Sequence, residues 1–230
     1  MDGLRERQKL ARDKSIVAAA AALFRAEGYD GAKIEVIAAK ANVSAGTIYN
    51  YYQNKGDLLV AIVAMEVDEV LKAGEKLIAA TPKDAAKAVN KLFAIYLEHS
   101  LTYLSKEMWR HAMAISTQQA MSPFGRAYSA LDQRLSQQVC HLIARLQAAG
   151  SIRADAKIDG VGELLFNNMN MMFIGFVKDE TIPMKTLLRQ IARQQRPLLA
   201  ALAQPALLSR RGSTRKASAV TSAVKVKPRE

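Results

Sequence analysis

Apolar residues recur along this chain every three or four positions, and no stretch alternates with a strand's period of two. That spacing is the signature of amphipathic helices. Ile16, Ala20, Leu23 and Phe24 define one face of a first helix over residues 10–27, preceded or opened by Arg5, Arg7, Lys9 and Arg12. Ile34, Ile37, Ala38 and Ala41 define a second helix, and a short third follows Ser44 and turns Ile48 inward. A fourth starts near Asn54, carries Leu58, Ile62 and Met65 on one stripe, and reaches toward Ala79. Thr81-Pro82 ends it and opens a fifth, since proline suits a first helical turn. Residues 82–117 stay helical, with a bend at 100–105. Ser122-Pro123 opens the next helix and Gly150 stops it. Ile158–Lys178 is the most apolar helix, and residues 183–203 form the last. The fold class expected is all-α: an N-terminal helix-turn-helix domain over residues 10–70, then a larger helical domain over 71–203.

The segment KIEVIAAKANVSAGTIYNYY, residues 33–52, carries the most specific signal. Asn42 falls where the chain must leave the second helix, in the left-handed conformation that suits glycine first and asparagine next. Val43 can plug the gap between the helices, and Ser44 is a good N-cap. Ser44, Ala45, Gly46 and Thr47 are small or hydroxyl-bearing, so this helix can press close to a phosphate backbone, where backbone N–H groups and the helix dipole favour the anion. Thr47 and Asn50 can reach base edges, and Tyr49 can contact backbone or base. Tyr51 follows on the same helix. Lys55 stands in the first turn of the next helix, where a cation is unfavourable unless it faces a phosphate. The candidate DNA-binding set is therefore Lys33, Ser44, Ala45, Gly46, Thr47, Tyr49, Asn50, Tyr51 and Lys55. An ordinary αα-hairpin, with Lys55 a solvated lysine, is the competing reading.

Residues 11–64 resemble the DNA-binding domain of the TetR family of bacterial transcriptional regulators. The resemblance rests on Phe24, Gly28 and Tyr29, on Ile37, Ala38, Ala41, Val43, Ser44, Gly46, Thr47, Ile48 and Tyr49, and on Tyr52, Lys55 and Leu58. Asn42 stands where the family usually has glycine. Ala32 and Lys33 stand where it often has a threonine pair that caps the second helix, so that cap is weaker or differently supplied, and Lys33 could add a phosphate contact. The resemblance implies a dimer that binds double-stranded operator DNA, and an effector cavity in the second domain. It covers about a quarter of the chain.

The second domain shows no catalytic constellation. His99, His111 and His141 lack metal-ligand spacing, and Cys140 reads as an inert, buried thiol. No catalytic residue, metal or cofactor is expected, and the protein is expected not to be an enzyme. Phe93, Tyr96, Tyr103, Met108, Trp109, Met113, Phe124, Met169, Met172 and Phe173 supply large, adaptable apolar groups. Plain core would use the same residues. Within the family resemblance, Tyr96, Trp109, Met113 and Phe173 are the candidates to line a cavity, for an apolar or aromatic effector, since no cluster of acids or bases is visible. Ile158–Lys178 is apolar around much of its surface, with Val161, Leu164, Leu165, Met169, Met172, Phe173 and Phe176. With Leu187, Leu188, Ile191, Leu198 and Leu199 of the last helix it could form a homodimer interface. Asn167, Asn168 and Asn170 must find partners there, at an effector or in the core.

Composition adds limits. The net charge of +12 favours polyanionic partners. Residues 1–58 carry nine Lys/Arg against seven Asp/Glu, a net of +2, whereas residues 204–230 carry seven against one, a net of +6. Half of the excess therefore lies in the tail, read as basic and disordered. The absence of a long apolar run argues against a membrane span, and one cysteine with a charged N-terminus suits the cytoplasm. The function expected is a ligand-responsive transcriptional regulator, most simply a repressor. The alternatives are a helical small-molecule-binding protein or enzyme without specific DNA binding, and a sequence-indifferent chromosome binder driven by the tail.

Overall fold

The computed structural model describes residues 2–80 and 83–204. The helix break at Thr81-Pro82 and the basic tail expected from residue 204 fall outside these residues, Gln204 excepted. Nine helices make up the described residues: α1 (Asp2–Gly31), α2 (Ile34–Lys40), α3 (Ala45–Tyr49), α4 (Lys55–Ala79), α5 (Ala85–His99), α6 (Lys106–Gln118), α7 (Pro123–Ala148), α8 (Ile158–Lys178) and α9 (Met184–Leu202). None of them is long and apolar enough to cross a membrane.

Most boundaries lie where cap chemistry puts them. The side chains of Ser44, Asn54, Asp84, Ser105 and Ser122 each accept a backbone N–H from three residues on, satisfying a donor that the first turn leaves free. Gly150, at φ 74°, closes α7. Two expectations need correction. First, α1 begins at Asp2 rather than near residue 10, because residues 3–9 are solvated and so carry no apolar period to read. Second, residues 100–105 are a full interruption between α5 and α6, capped by Ser105, rather than a bend. At Gly28 the backbone turns to φ 75° and ψ 170°, a conformation that a side chain strains. This kink closes the straight part of α1.

The buried apolar residues form one continuous core, along which α4 runs from the head to the later helices. In the N-terminal head, Ile16, Ala20 and Phe24 of α1 pack with Ile37, Ile48, Leu58 and Ile62, all nearly inaccessible. In the second domain α4, α5, α7 and α8 pack side by side, and α9 lies across α5 and α8. Gln138 of α7 is tied to two other helices, α5 and α4. It accepts from the Tyr96 hydroxyl (2.7 Å) and donates to the Leu71 carbonyl and to Glu75 (each 2.8 Å). Gly74 leaves the room, since a β-carbon there would lie 2.0 Å from Gln138 Oε1.

Much of the apolar surface assigned from sequence to a dimer interface is consumed inside the chain. Leu165, Met169, Phe173 and Phe176 of α8, and Leu187, Ile191 and Leu199 of α9, are buried in the single chain. They face the core because α8 and α9 pack on α7 and α5.

The α7–α8 contact is close enough to exclude a side chain at Gly162. A β-carbon there would lie 2.7 Å from the Cys140 Cα and 2.9 Å from its nitrogen. Gly162→Ala should therefore force the helices apart and cost about 1–3 kcal/mol. Chemical denaturation of the two proteins measures it, and equal stability would mean that the helices separate freely.

Candidate functional site: DNA interface and core cavity

In the head, Asn42 adopts φ 59°, the left-handed turn that lets α3 follow α2. Val43 is half-buried beneath the turn. Ser44 Oγ accepts the Thr47 N–H at 3.1 Å, and the two hydroxyls lie 2.9 Å apart. Ile48 is fully buried and anchors α3. At 100° per residue, Gly46 and Asn50 lie opposite Ile48, with Thr47 and Tyr49 on the flanks. Gly46, Tyr49 and Asn50 are exposed, as is Ser44, while Ala45 and Thr47 are half-buried. The projecting surface of α3 is thus small at its centre and polar at its margins.

Two expected contacts fall elsewhere. The Lys55 amine donates to the carbonyls of Asp30 (3.1 Å) and Ala32 (3.3 Å) and lies 4.7 Å from the centre of the Tyr29 ring. The orphan carbonyls after the Gly28 kink attract it, so the lysine that seemed to need a phosphate finds its acceptors inside the head. Tyr51 is half-buried and lines a cleft of about 440 Å³ between the head and the start of α7, with Tyr29, Gly56, Pro123 and Phe124. Lys33 precedes α2 without capping it, and its side chain is exposed. Sequence reasoning gave no interface role to the solvated start of α1. It leads into the head, where Asp13 accepts from the Tyr52 hydroxyl and Ser15 donates to the Ala41 carbonyl. Arg5, Lys9 and Arg12 are exposed on it.

The second site is a cavity of about 60 Å³ enclosed by α4 to α8. Tyr96, Trp109 and Phe173 line it. Met113 does not; it lies one turn beyond Trp109 on α6. Trp109 meets Phe173 edge to face at 5.2 Å and donates from Nε1 to the Ser100 carbonyl at 2.7 Å.

Two carboxyls that the sequence reading passed over also line it: Glu66 of α4 and Asp132 of α7. Both interrupt apolar stripes at helical spacing, Ile62–Glu66–Val70 and Tyr128–Asp132–Leu135, and that pattern was the available signal. Glu66 is 2% exposed. Its Oε1 lies 3.2 Å from His99 Nδ1, while His99 Nε2 lies 3.0 Å from Glu69. Its Oε2 is buried without a hydrogen-bond partner in the protein. Burial pushes the Glu66 carboxyl up to about 7, against the opposing pull of His99. Burial likewise raises Asp132 to about 6, opposed by a hydrogen bond from Asn170. Asn168 instead donates to Gln194 of α9 at 2.8 Å, and Asn167 is exposed.

One helix touches both sites. On α6, Trp109 walls the cavity, while His111 stacks on Tyr29 of the head at 4.9 Å between ring centres. Lys106, at the start of α6, donates to the carbonyls of Asp179 (2.7 Å) and Ile182 (2.9 Å), pinning that end to the α8–α9 turn.

The chain thus joins a helix-turn-helix head to a cavity lined by α4 to α8. Residues 16–62 match the family model for bacterial regulatory proteins of the tetR family. Over 112 residues the chain is 30% identical to the fatty acid metabolism regulator protein of Bacillus subtilis, a match covering 49% of this chain and 54% of that protein. The chain thus spans about half the length of that curated relative. Among solved structures, a TetR-family transcriptional regulator from Pectobacterium atrosepticum superposes with TM-score 0.64 at 20% identity, covering 87% of this chain and 98% of that one. Thermus thermophilus FadR, a TetR-family repressor solved with lauroyl-CoA, gives 0.60 at 20% identity, covering 82% and 93%. At these identities the structures establish a shared fold.

The raised Glu66 carboxyl has a consequence for stability. A carboxyl that binds its proton more tightly on folding contributes most below its ordinary value of 4.5, and that contribution is lost as pH climbs through about 7. Glu66→Gln stays neutral throughout. From pH 5 to pH 8 its stability relative to wild type should therefore improve by about 2–3 kcal/mol. Urea unfolding of both proteins at the two pH values reads this. The subtraction largely cancels His99, Glu69, Tyr103 and Asp132, which surround the same carboxyl. A difference independent of pH would place the shift on another group.

Proposed function

We propose that this protein is a homodimeric, sequence-specific transcriptional repressor of the cytoplasm, released from operator DNA by a small effector with an apolar or aromatic body. The observation that carries the reading is α3: a short helix held by buried Ile48 that projects Gly46, Thr47, Tyr49 and Asn50, within the segment matched to the family. A helix of that shape enters a major groove, with Asn50 and Thr47 placed for base edges and Tyr49 for backbone. Ser44 and Ala45 border the same surface, Lys33 and the exposed start of α1 add cations for phosphates, and Lys55 and Tyr51 support the head from behind. Residues 10–70 would be the DNA-binding domain and residues 71–203 the effector and dimerisation domain.

Two heads read successive major grooves only at a spacing of about 34–36 Å. The effector acts by preferring a different spacing. The path runs through α6, since an occupant that displaces Trp109 also moves His111 against Tyr29. Thermus FadR, bound to lauroyl-CoA, supports an apolar occupant for this fold.

Asn50→Ala and Tyr49→Ala should keep the melting profile and weaken binding to a genomic fragment selected by the protein, with about 1–3 kcal/mol lost for a base contact. Lys55→Ala should behave differently, losing fold stability by about 1–2 kcal/mol with the salt slope of DNA binding nearly unchanged. Titration across salt, beside chemical denaturation, separates them. Wild-type affinity in both α3 variants would move the interface off this helix.

Dimerisation fits the outward stripe of α8, where Gly160, Leu164, Asn167, Met171 and Gly175 share one face. Leu164 is 56% and Met171 67% exposed, and a β-carbon at either glycine would meet nothing within 4 Å. Leu164→Arg should give a folded monomer by light scattering. Leu165→Arg, which charges the core, should unfold the chain instead. A wild-type monomer, or a Leu164→Arg dimer, would remove the stripe from the interface.

A further inference from the structure

The cavity has an apolar, aromatic wall and one unmet electrostatic demand. Glu66 lines the space, and its Oε2 is buried with no hydrogen-bond partner in the protein. Several other polar groups of the wall are occupied. Trp109 Nε1 donates to Ser100, Ser100 Oγ to Leu97, and the Tyr96 hydroxyl to Gln138. Asp132 is held by Asn170 but adds a second carboxyl, and no Lys, Arg or His lines the space. An orphan carboxylate in a low-dielectric wall is costly, and a charged N–H donor is the group that relieves it most. The aromatic side chains of the wall, Trp109, Tyr96 and Phe173, also favour a cation over an anion.

We infer that the effector presents a protonated amine to Glu66, with an apolar or aromatic body lodged among the cavity's aromatic side chains. The inference rests on the effector role proposed above and names that effector's chemistry. A carboxylate ligand would meet two like charges. A thioester brings only acceptors, which Glu66 can serve only in its protonated form. Size adds a mechanical element. About 60 Å³ suits an ammonium group and its first carbons, while cavities that admit a benzene ring measure about 150 Å³. A ring attached to the amine must therefore push a wall outward. Trp109 on α6 is the wall element whose helix also reaches the head.

The test uses the full-length protein and four probes: 2-phenylethylamine, its neutral analogue 2-phenylethanol, phenylacetate and lauroyl-CoA. Trp109 is the only tryptophan in the sequence, so its fluorescence reports occupancy, and release of a selected genomic fragment reports function. The amine should bind about 10-fold or more tightly than the alcohol, phenylacetate should be weakest, and Trp109 quenching and DNA release should share a midpoint. In Glu66→Gln the amine-to-alcohol ratio should fall to near one, with circular dichroism confirming the fold. If that variant does not fold, Asp132→Asn should lower the same ratio about threefold or more. Alcohol, phenylacetate or lauroyl-CoA binding as tightly as the amine would overturn the inference, as would an unchanged ratio in Glu66→Gln or no response to any probe. DNA release by lauroyl-CoA alone would sink the amine and leave the repressor standing. A chain that selects no DNA fragment would sink the repressor, while the fluorescence ratio would still judge the amine.

Discussion

Helix α4 must pack against the head at one end and the later helices at the other, and most of the architecture follows from that constraint. Its first turns supply Leu58 and Ile62 to the head, and its later turns supply Val67, Val70 and Ile78 to the second domain. At 1.5 Å per residue its 25 residues span about 37 Å. The head therefore cannot shift without tilting a helix that also walls the cavity. Lys55 strengthens the joint at the head end, where one ammonium gathers the carbonyls of Asp30 and Ala32 and the face of Tyr29. A lysine at a helix N-terminus works against the helix dipole. Here the free carbonyls beyond the Gly28 kink outweigh it.

The second connection between the domains is α6, and it differs in kind. Its start is fixed by Lys106 on the α8–α9 turn, and Arg110 reinforces this by pairing with Glu180 at 2.7 Å. Further along, half-buried His111 stacks on Tyr29 beside the 440 Å³ cleft. A helix held firmly at one end and loosely at the other pivots more easily than it slides. Trp109 lies between the two ends, so displacement at the cavity wall reaches the head through α6 while α4 resists. Coupling of this kind requires that the effector's affinity differ between the two arrangements.

The cavity carboxyls show how such a site is maintained at some expense to stability. Glu66 has one oxygen supported by His99 and one unsupported, and burial holds its proton affinity near neutrality. A well-packed apolar residue at the same place would avoid that cost. Retaining a half-satisfied carboxyl inside an aromatic pocket is consistent with a role in recognition, because polar groups in a dry site discriminate most strongly between ligands.

The helices and the reading head were legible from sequence because their causes are local. A cap such as Ser44, a left-handed turn at Asn42 and the period of Ile34, Ile37, Ala38 and Ala41 are settled within a few residues, and the all-α class with its helix-turn-helix follows from them. The length of α1 escaped because solvated positions carry no pattern. What only the tertiary structure decided are the pairings between distant residues. Sequence shows that Lys55 is misplaced for a helix start but not that the carbonyls of Asp30 and Ala32 lie within its reach. It shows that α8 is apolar around much of its surface but not which side α7 covers, and so not that Leu165 is core while Leu164 faces outward. It shows Glu66 and Asp132 on apolar stripes, yet each stripe alone reads as a single charge to be solvated. Only packing α4 against α7 turns both toward one space, because burial and electrostatic demand are properties of the assembled core rather than of any segment of it.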